Sequence, residues 1–214
     1  MVEYNIRAAQ PSEAEVESLT NELVVRPHVT PDDGSVSRMV EWLRTERRKG
    51  GAELAGFHIA EHPVFDSFAS RNALNSPGVI ESVLAHESVR DSLPYFRIAS
   101  PLKYRDFGRR LRGWSVVWPY RVAGDWATCL DSGGFDVFPD EVKGTGREAR
   151  GAAAMDTAMS AYKALTGGRY RPGICAYQTS DAWCEWFPGV FNSTWIVYDS
   201  GFRLLWLLAI TDMD

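Results

Sequence analysis

The residues with the most direct chemical potential lie in one glycine-rich turn, Lys143-Gly144-Thr145-Gly146-Arg147-Glu148, between a β-prone run ending at Pro139 and a helix-forming stretch from Ala149. Glycines let the backbone come close to a ligand, and the free N–H groups at a helix start favour an anion. Lys143 and Arg147 add positive charge at the same place. Two readings stay open. Lys143, Gly144, Thr145, Gly146 and Arg147 can form an anion or phosphate site, or Thr145 and Glu148 can be a capping box that does no more than start a helix.

Other groups of reactive types are spread along the chain. His58 and His62 are four residues apart with Glu61 before the second, a spacing that would place both imidazoles on one metal if the segment were helical. Pro63 and the preceding Gly56-Phe57 speak against a helix there, which leaves two surface histidines near a turn. Cys175 and Cys184 are nine apart and could face each other across a hairpin, but cytosolic cysteines usually stay reduced, and buried structural thiols are expected. Residues 103–112 carry Lys103, Arg105, Arg109, Arg110 and Arg112 against Asp106, with Tyr104 and Phe107 interleaved. Such a segment grips phosphates or forms a solvated face for an acidic partner. Trp183, Trp186 and Phe187 precede a Pro188-Gly189 turn, and exposed tryptophans between Trp183 and Pro188 would anchor a protein partner.

The frame that must position these residues can be read from periodicity. Val2 to Ala8 alternates and reads as a strand. Ser12 with Glu15 is a capping box for a helix over about 13–25, whose buried face is Val16, Leu19 and Leu23, with Pro27 closing it. A second helix from Ser35 buries Val36, Met39, Val40 and Leu43 and stops at Gly50-Gly51. Residues 52–60 read as a strand, and Ser76-Pro77 opens a third helix with Val79, Ile80, Val83 and Leu84 inward. Residues 114–120, 125–130 and 135–138 are β-prone runs divided by glycines, an expected antiparallel meander. Residues 149–165 return to strong helix formers. Residues 174–177, 183–187, 194–198 and 202–210 read as strands, the last apolar at consecutive positions and so covered on both faces.

Composition sets the limits. The chain has 214 residues, 45% hydrophobic and 24% charged, which suits a globular protein with its own core. The expectation is a single α+β domain over residues 1–214, with a central, mostly antiparallel sheet and helices packed on it. Its N-terminal half is helix-rich and its C-terminal half strand-rich. A net charge of -5 argues against coating nucleic acid or an anionic membrane. The N-terminus has no signal-peptide pattern, no apolar run reaches the ~20 residues of a membrane span, and three cysteines make no disulfide framework. A cytoplasmic protein is expected.

The order of these features resembles the GCN5-related N-acetyltransferase family. Tyr4-Asn5-Ile6-Arg7-Ala8-Ala9-Gln10-Pro11-Ser12-Glu13 is similar to that family's opening strand, turn and helix. Val137-Phe138-Pro139 and the turn from Lys143 to Glu148 are similar to its strand end and pyrophosphate-binding loop, and Asn192, Tyr198 and Gly201-Phe202 to its later motif. The resemblance implies acetyl-CoA as cofactor, held by Lys143, Gly144, Thr145, Gly146 and Arg147. It also implies metal-free amine acetylation, with Tyr198 as the acid that protonates the leaving thiolate. A second reading is a non-enzymatic interaction protein, of the kind found among immunity proteins, phage-encoded inhibitors and virion components. It would bind a protein partner through the region from Trp183 to Pro188.

Overall fold

The apolar run near the C-terminus is the middle of the molecule. The computed structural model describes residues 11–30, 33–47, 50–105, 110–132, 145–170, 173–188 and 191–212, with the side chains of 145–147 left aside. Within it, Leu204–Asp212 forms a strand that is buried along almost its whole length. Successive strand side chains point to opposite faces, so an apolar run with no alternation needs cover on both sides. Leu205, Leu207 and Ala209 enter one core, and Trp206, Leu208 and Ile210 enter another.

Five further strands flank it. In chain order the six are β1 (Val25–His28), β2 (Gly51–Ile59), β3 (Ser115–Val117), β4 (Ile174–Thr179), β5 (Phe191–Asp199) and β6 (Leu204–Asp212). Their order across the sheet is β1-β2-β6-β5-β4-β3, and every pairing is antiparallel. The expected α+β architecture with a mostly antiparallel sheet is therefore present. Four of the six strands fall in the second half of the chain.

Seven helices make the outer layers. The first core is covered by α1 (Glu13–Glu22), α3 (Pro63–Ser70), α4 (Val79–Ala85) and α5 (Glu87–Ser92). The second is covered by α2 (Ser35–Thr45), α6 (Pro119–Ser132) and α7 (Thr145–Thr166). The sequence signals for α1 hold in detail: Glu15 N–H donates to Ser12 Oγ at 3.4 Å, and Ser12 N–H donates to Glu15 Oε2 at 2.8 Å. The helix ends at Glu22 and Pro27 sits inside β1, which is tolerated because β1 is an edge strand and one missing N–H disrupts no inner ladder. For α4 the cap is Gly78, not Ser76. Its N–H donates to Glu81 Oε2 at 3.1 Å, and its φ of 86° suits a residue without a Cβ.

Three expectations are corrected. Residues 125–130 belong to α6, not to a strand. Val122, Ala123, Trp126, Ala127 and Leu130 recur at helical spacing and are all buried, and this periodicity outweighs the β preference of Trp126 and Thr128. The strand expected over 114–120 shortens to β3 because Pro119 opens α6. Residues 183–187 form a turn rather than a strand, since Trp183 and Phe187 both insert into the first core. The strands expected at residues 2–8 and 135–138 lie outside the described residues.

Two arginines tie the second layer together. Arg47 is 7% exposed and donates from Nη1 to the Leu43 carbonyl at 2.8 Å and from Nη2 to the Cys129 carbonyl at 3.2 Å. Arg150 donates to the Leu130 carbonyl at 2.8 Å and the Asp131 carbonyl at 3.1 Å, and pairs with Glu46 at 3.2 Å. Cations at helix C-termini satisfy carbonyls that no intrahelical N–H reaches. Desolvation lowers the Arg47 pKa, with Cys129, Asp212 and Glu46 opposing it.

Two glycines give opposite tests of this packing. The Trp206 ring lies directly over Gly56 in β2, where an added Cβ would overlap it. Gly56→Ala should lower stability by about 1–3 kcal/mol through overpacking. Gly124 lies within α6 with open space where a Cβ would go, so Gly124→Ala should raise stability by about 0.5–1 kcal/mol. Urea unfolding of both variants checks the pair; equal signs would refute the packing around β2.

Candidate functional site

The glycine-rich turn leads directly into α7, whose first residues are Thr145, Gly146 and Arg147. Lys143 and Gly144 lie outside the described residues. The helix packs with α2 and α6 on the second core. Tyr198 lies on the other side of the sheet. Its side chain is fully buried in the first core and meets Phe65 edge-on at a centroid distance of 5.2 Å. The two parts of the expected acetyl-transfer site are thus on opposite faces of the sheet. Asn192, the third element of that pattern, accepts from the Thr211 hydroxyl at 2.8 Å, and Gly201-Phe202 form the β5–β6 turn around the Asp199 carboxylate.

The histidines and cysteines are separated as well. His58 is on β2, opposite Arg26 and Leu204, while His62 precedes α3 and contacts Glu22 at 3.3 Å. Among the described residues no group of three His, Cys, Asp or Glu side chains is placed to hold a metal. Cys175 lies on β4 in contact with the Ala69 carbonyl at 3.5 Å, and both it and Cys184 are free and buried. Burial pushes the Cys184 thiol up to about 12 and the Cys129 thiol up to about 11, and it raises Cys175 too. A thiol this far above its ordinary value has almost no thiolate at neutral pH and is a poor nucleophile.

The basic segment and the tryptophan turn, read separately in the sequence, are brought together. Arg105 N–H donates to the Ala182 carbonyl at 2.7 Å, and its Nη1 donates to the carbonyls of Glu185 at 3.2 Å and Phe187 at 3.1 Å. Between these segments opens a cleft of about 560 Å³, walled by Tyr95, Arg97, Lys103, Tyr104, Arg105 and Glu185. Tyr104 is fixed at the back of it: its hydroxyl donates to Glu81 Oε1 at 2.8 Å and accepts from Trp114 Nε1 at 3.2 Å. Burial and the Glu81 carboxylate hold the phenol protonated well above its ordinary range.

The aromatics of the expected anchor between Trp183 and Pro188 pack inward. Trp183 and Phe187 are fully buried, Trp183 donates to Thr194 Oγ1 at 2.9 Å, and Trp186 stacks on Phe96 at 4.5 Å. Exposed aromatics include Trp118 at 50% and Tyr120 at 63%, stacked with 6.2 Å between ring centroids. They follow directly on β3, an outer strand of the sheet, whose Val116 is 44% exposed while Val117 is core. Just before β3, the Asp181 carboxylate accepts from the N–H groups of Arg112 at 2.9 Å and Gly113 at 2.7 Å, and the Arg112 side chain is exposed. The signal for this surface was available in residues 114–120, where buried and exposed positions interchange around two prolific contact formers, Trp118 and Tyr120.

Residues 97–114, between the 3₁₀ turn at Pro94–Phe96 and β3, hold no helix or strand among the described residues. Connections longer than roughly 12–15 residues without such structure are uncommon in domains and often functional. Both the cleft and the exposed edge are built on this stretch. Comparison with protein-family models, curated proteins and solved structures found no match for the chain.

The three free thiols give a direct test. In the native protein, disulfide-exchange labelling of Cys129, Cys175 and Cys184 at pH 8 should be at least about a hundredfold slower than in denaturant, where thiols titrate near 8.5. Stability should also fall as pH rises above about 8.5, because the unfolded chain releases its thiol protons before the folded chain does. Rapid native labelling of Cys184 would contradict its burial.

Proposed function

We propose that this chain acts by binding a polypeptide partner along the open edge of its sheet. The observation that carries the reading is β3. It is the last strand in the sheet order, and its outer side has no strand partner among the described residues. Val116 stands exposed on it, Trp118 and Tyr120 stand exposed just after it, Tyr120 in the first turn of α6, and Leu111 before it is 50% exposed. An unpaired edge offers a row of N–H and C=O groups, which an incoming extended segment satisfies while pockets beside it read alternate side chains. Stacked Trp and Tyr are the residue types that dominate binding energy at such contacts. Cys175 and Cys184 are buried and Tyr198 is core, so none of these three is presented at the surface.

Affinity capture from an extract of the native source, with quantitative mass spectrometry, tests it. Wild-type protein should retain a specific partner. The Trp118→Ala/Tyr120→Ala variant and Val116→Glu should each weaken retention by about 2 kcal/mol or more. Phe202→Ala, which alters an exposed aromatic at the β5–β6 turn, should retain the partner fully. Unchanged capture by the edge variants, or equal loss with Phe202→Ala, would overturn the reading.

A second reading keeps the acetyl-CoA proposal and rests on α7 starting within the glycine-rich turn, so that N–H groups of Gly146 and Arg147 belong to a helix start suited to an anion. Tyr198 has no role in that version, since it lies across the sheet. Millimolar acetyl-CoA should then raise Tm, and Gly146→Glu should abolish the rise. No stabilisation by the ligand retires it.

A further inference from the structure

We propose that the cleft between residues 95–105 and 184–185 is a binding site for a small phosphate ester carrying an aromatic ring, of the nucleoside phosphate class. Its walls hold three cations, Arg97, Lys103 and Arg105, against one carboxylate, Glu185. That local excess of positive charge stands on a chain whose net charge is -5. Glu185 is spent on Arg97, at 3.6 Å, in a pair exposed on both sides. Lys103 is exposed and has no ion-pair partner among the described residues. The Lys103 charge therefore faces the open volume beside Arg97 and Arg105, where an anionic group is the complement.

The cleft is also built in advance. Two backbone carbonyls hold the Arg105 guanidinium through Nη1. The Arg97 backbone is fixed in the left-handed region at φ 50°, an uncommon conformation for a residue with a side chain, and the adjacent Phe96 carbonyl accepts from Trp186 N–H at 3.2 Å. Tyr104 is locked by its two hydrogen bonds. Groups already ordered cost little further entropy when a ligand arrives. The volume of about 560 Å³ falls within the roughly 300–1,000 Å³ typical of small-ligand sites. The aromatic requirement comes from Tyr95. It lines the cleft, is 47% exposed and meets Phe96 edge-on at 5.0 Å, and a base stacked on its ring would lie beside the cations. An inorganic anion would use only half of these walls.

The site is independent of the β3 edge and of the α7 turn, and its test separates it from both. Isothermal titration at about 20 mM salt, where exposed cations are least screened, would use ADP, GDP, pyrophosphate and adenosine as probes. ADP or GDP should bind, pyrophosphate should bind at least about tenfold more weakly, and adenosine should not bind measurably. Lys103→Ala and Arg97→Ala should each weaken nucleotide binding by about tenfold or more, with far-UV circular dichroism and unfolding midpoint unchanged because both side chains are exposed. Trp118→Ala/Tyr120→Ala and Gly146→Glu should bind as wild type does. Absence of nucleotide binding at millimolar concentration overturns the proposal. So does equal binding of pyrophosphate and ADP, equal binding by the Lys103→Ala/Arg97→Ala double variant, or loss of binding in Gly146→Glu, which would move the site to the α7 turn.

Discussion

A strand that is apolar at every position cannot lie on a surface, and β6 imposes that condition on the whole chain. Leu205, Leu207 and Ala209 need cover on one side, and Trp206, Leu208 and Ile210 need it on the other. Each such side chain contributes about 1.5–3 kcal/mol when it leaves water completely. The connections meet the demand in a simple way. The link from β1 to β2 runs through α2 on one face, and the link from β2 to β3 runs through α3, α4 and α5 on the other. Before β4 the chain returns to the first of these layers with α6 and α7. With both faces closed, the functional surfaces proposed for the molecule lie at the rim of the sheet.

The second core takes this priority of area over polarity furthest. The indole N–H groups of Trp126, Trp195 and Trp206 are all buried there with no acceptor among the described residues. An unmet donor costs about 1–3 kcal/mol, which the large ring areas of these residues offset. Several buried or half-buried charges close open backbone groups. Arg47 and Arg150 take up the last carbonyls of α2 and α6, Asp181 takes the N–H groups leading into β3, and Asp199 holds the β5–β6 turn together with Arg169. These five side chains set where helices stop and turns begin, and so they set the rim on which the exposed residues stand.

Local signals in the sequence were sufficient for part of this. The Ser12–Glu15 cap, the Val36-Met39-Val40-Leu43 stripe and the unbroken β6 run each carry their information within a few residues, and each appears as read. Helix α6 was missed because Trp126, Thr128 and Cys129 favour strands individually, while the spacing of Val122, Trp126 and Leu130 is the property that decides. The pairing of Tyr198 with the α7 turn failed for a different reason. Strand parity places Tyr198 with Ile196 and opposite Val197, but which face α7 covers is a tertiary fact that no local pattern holds. The same is true of the cleft. Its two walls are separated by about eighty residues and meet through the bridge between Arg105 and Ala182, so each half reads as an ordinary polar loop by itself.

The two edges of the sheet are not equivalent, and the difference bears on how the rim is used. At the β1 edge, Pro27 removes one N–H from the row, and α5 packs against the strand. Both features blunt an edge against pairing with another chain. β3 itself has neither device: Ser115, Val116 and Val117 include no proline, lysine or glutamate, and exposed Trp118 and Tyr120 follow it between exposed Arg112 and Arg121. A strand edge without such devices carries an aggregation risk. The core beside β3 is closed by Val117, Trp114 and Val122, and Trp118 and Tyr120 stand 50% and 63% exposed outside it. On the proposed reading, a second polypeptide strand is the occupant that would satisfy both the edge amides and the rings.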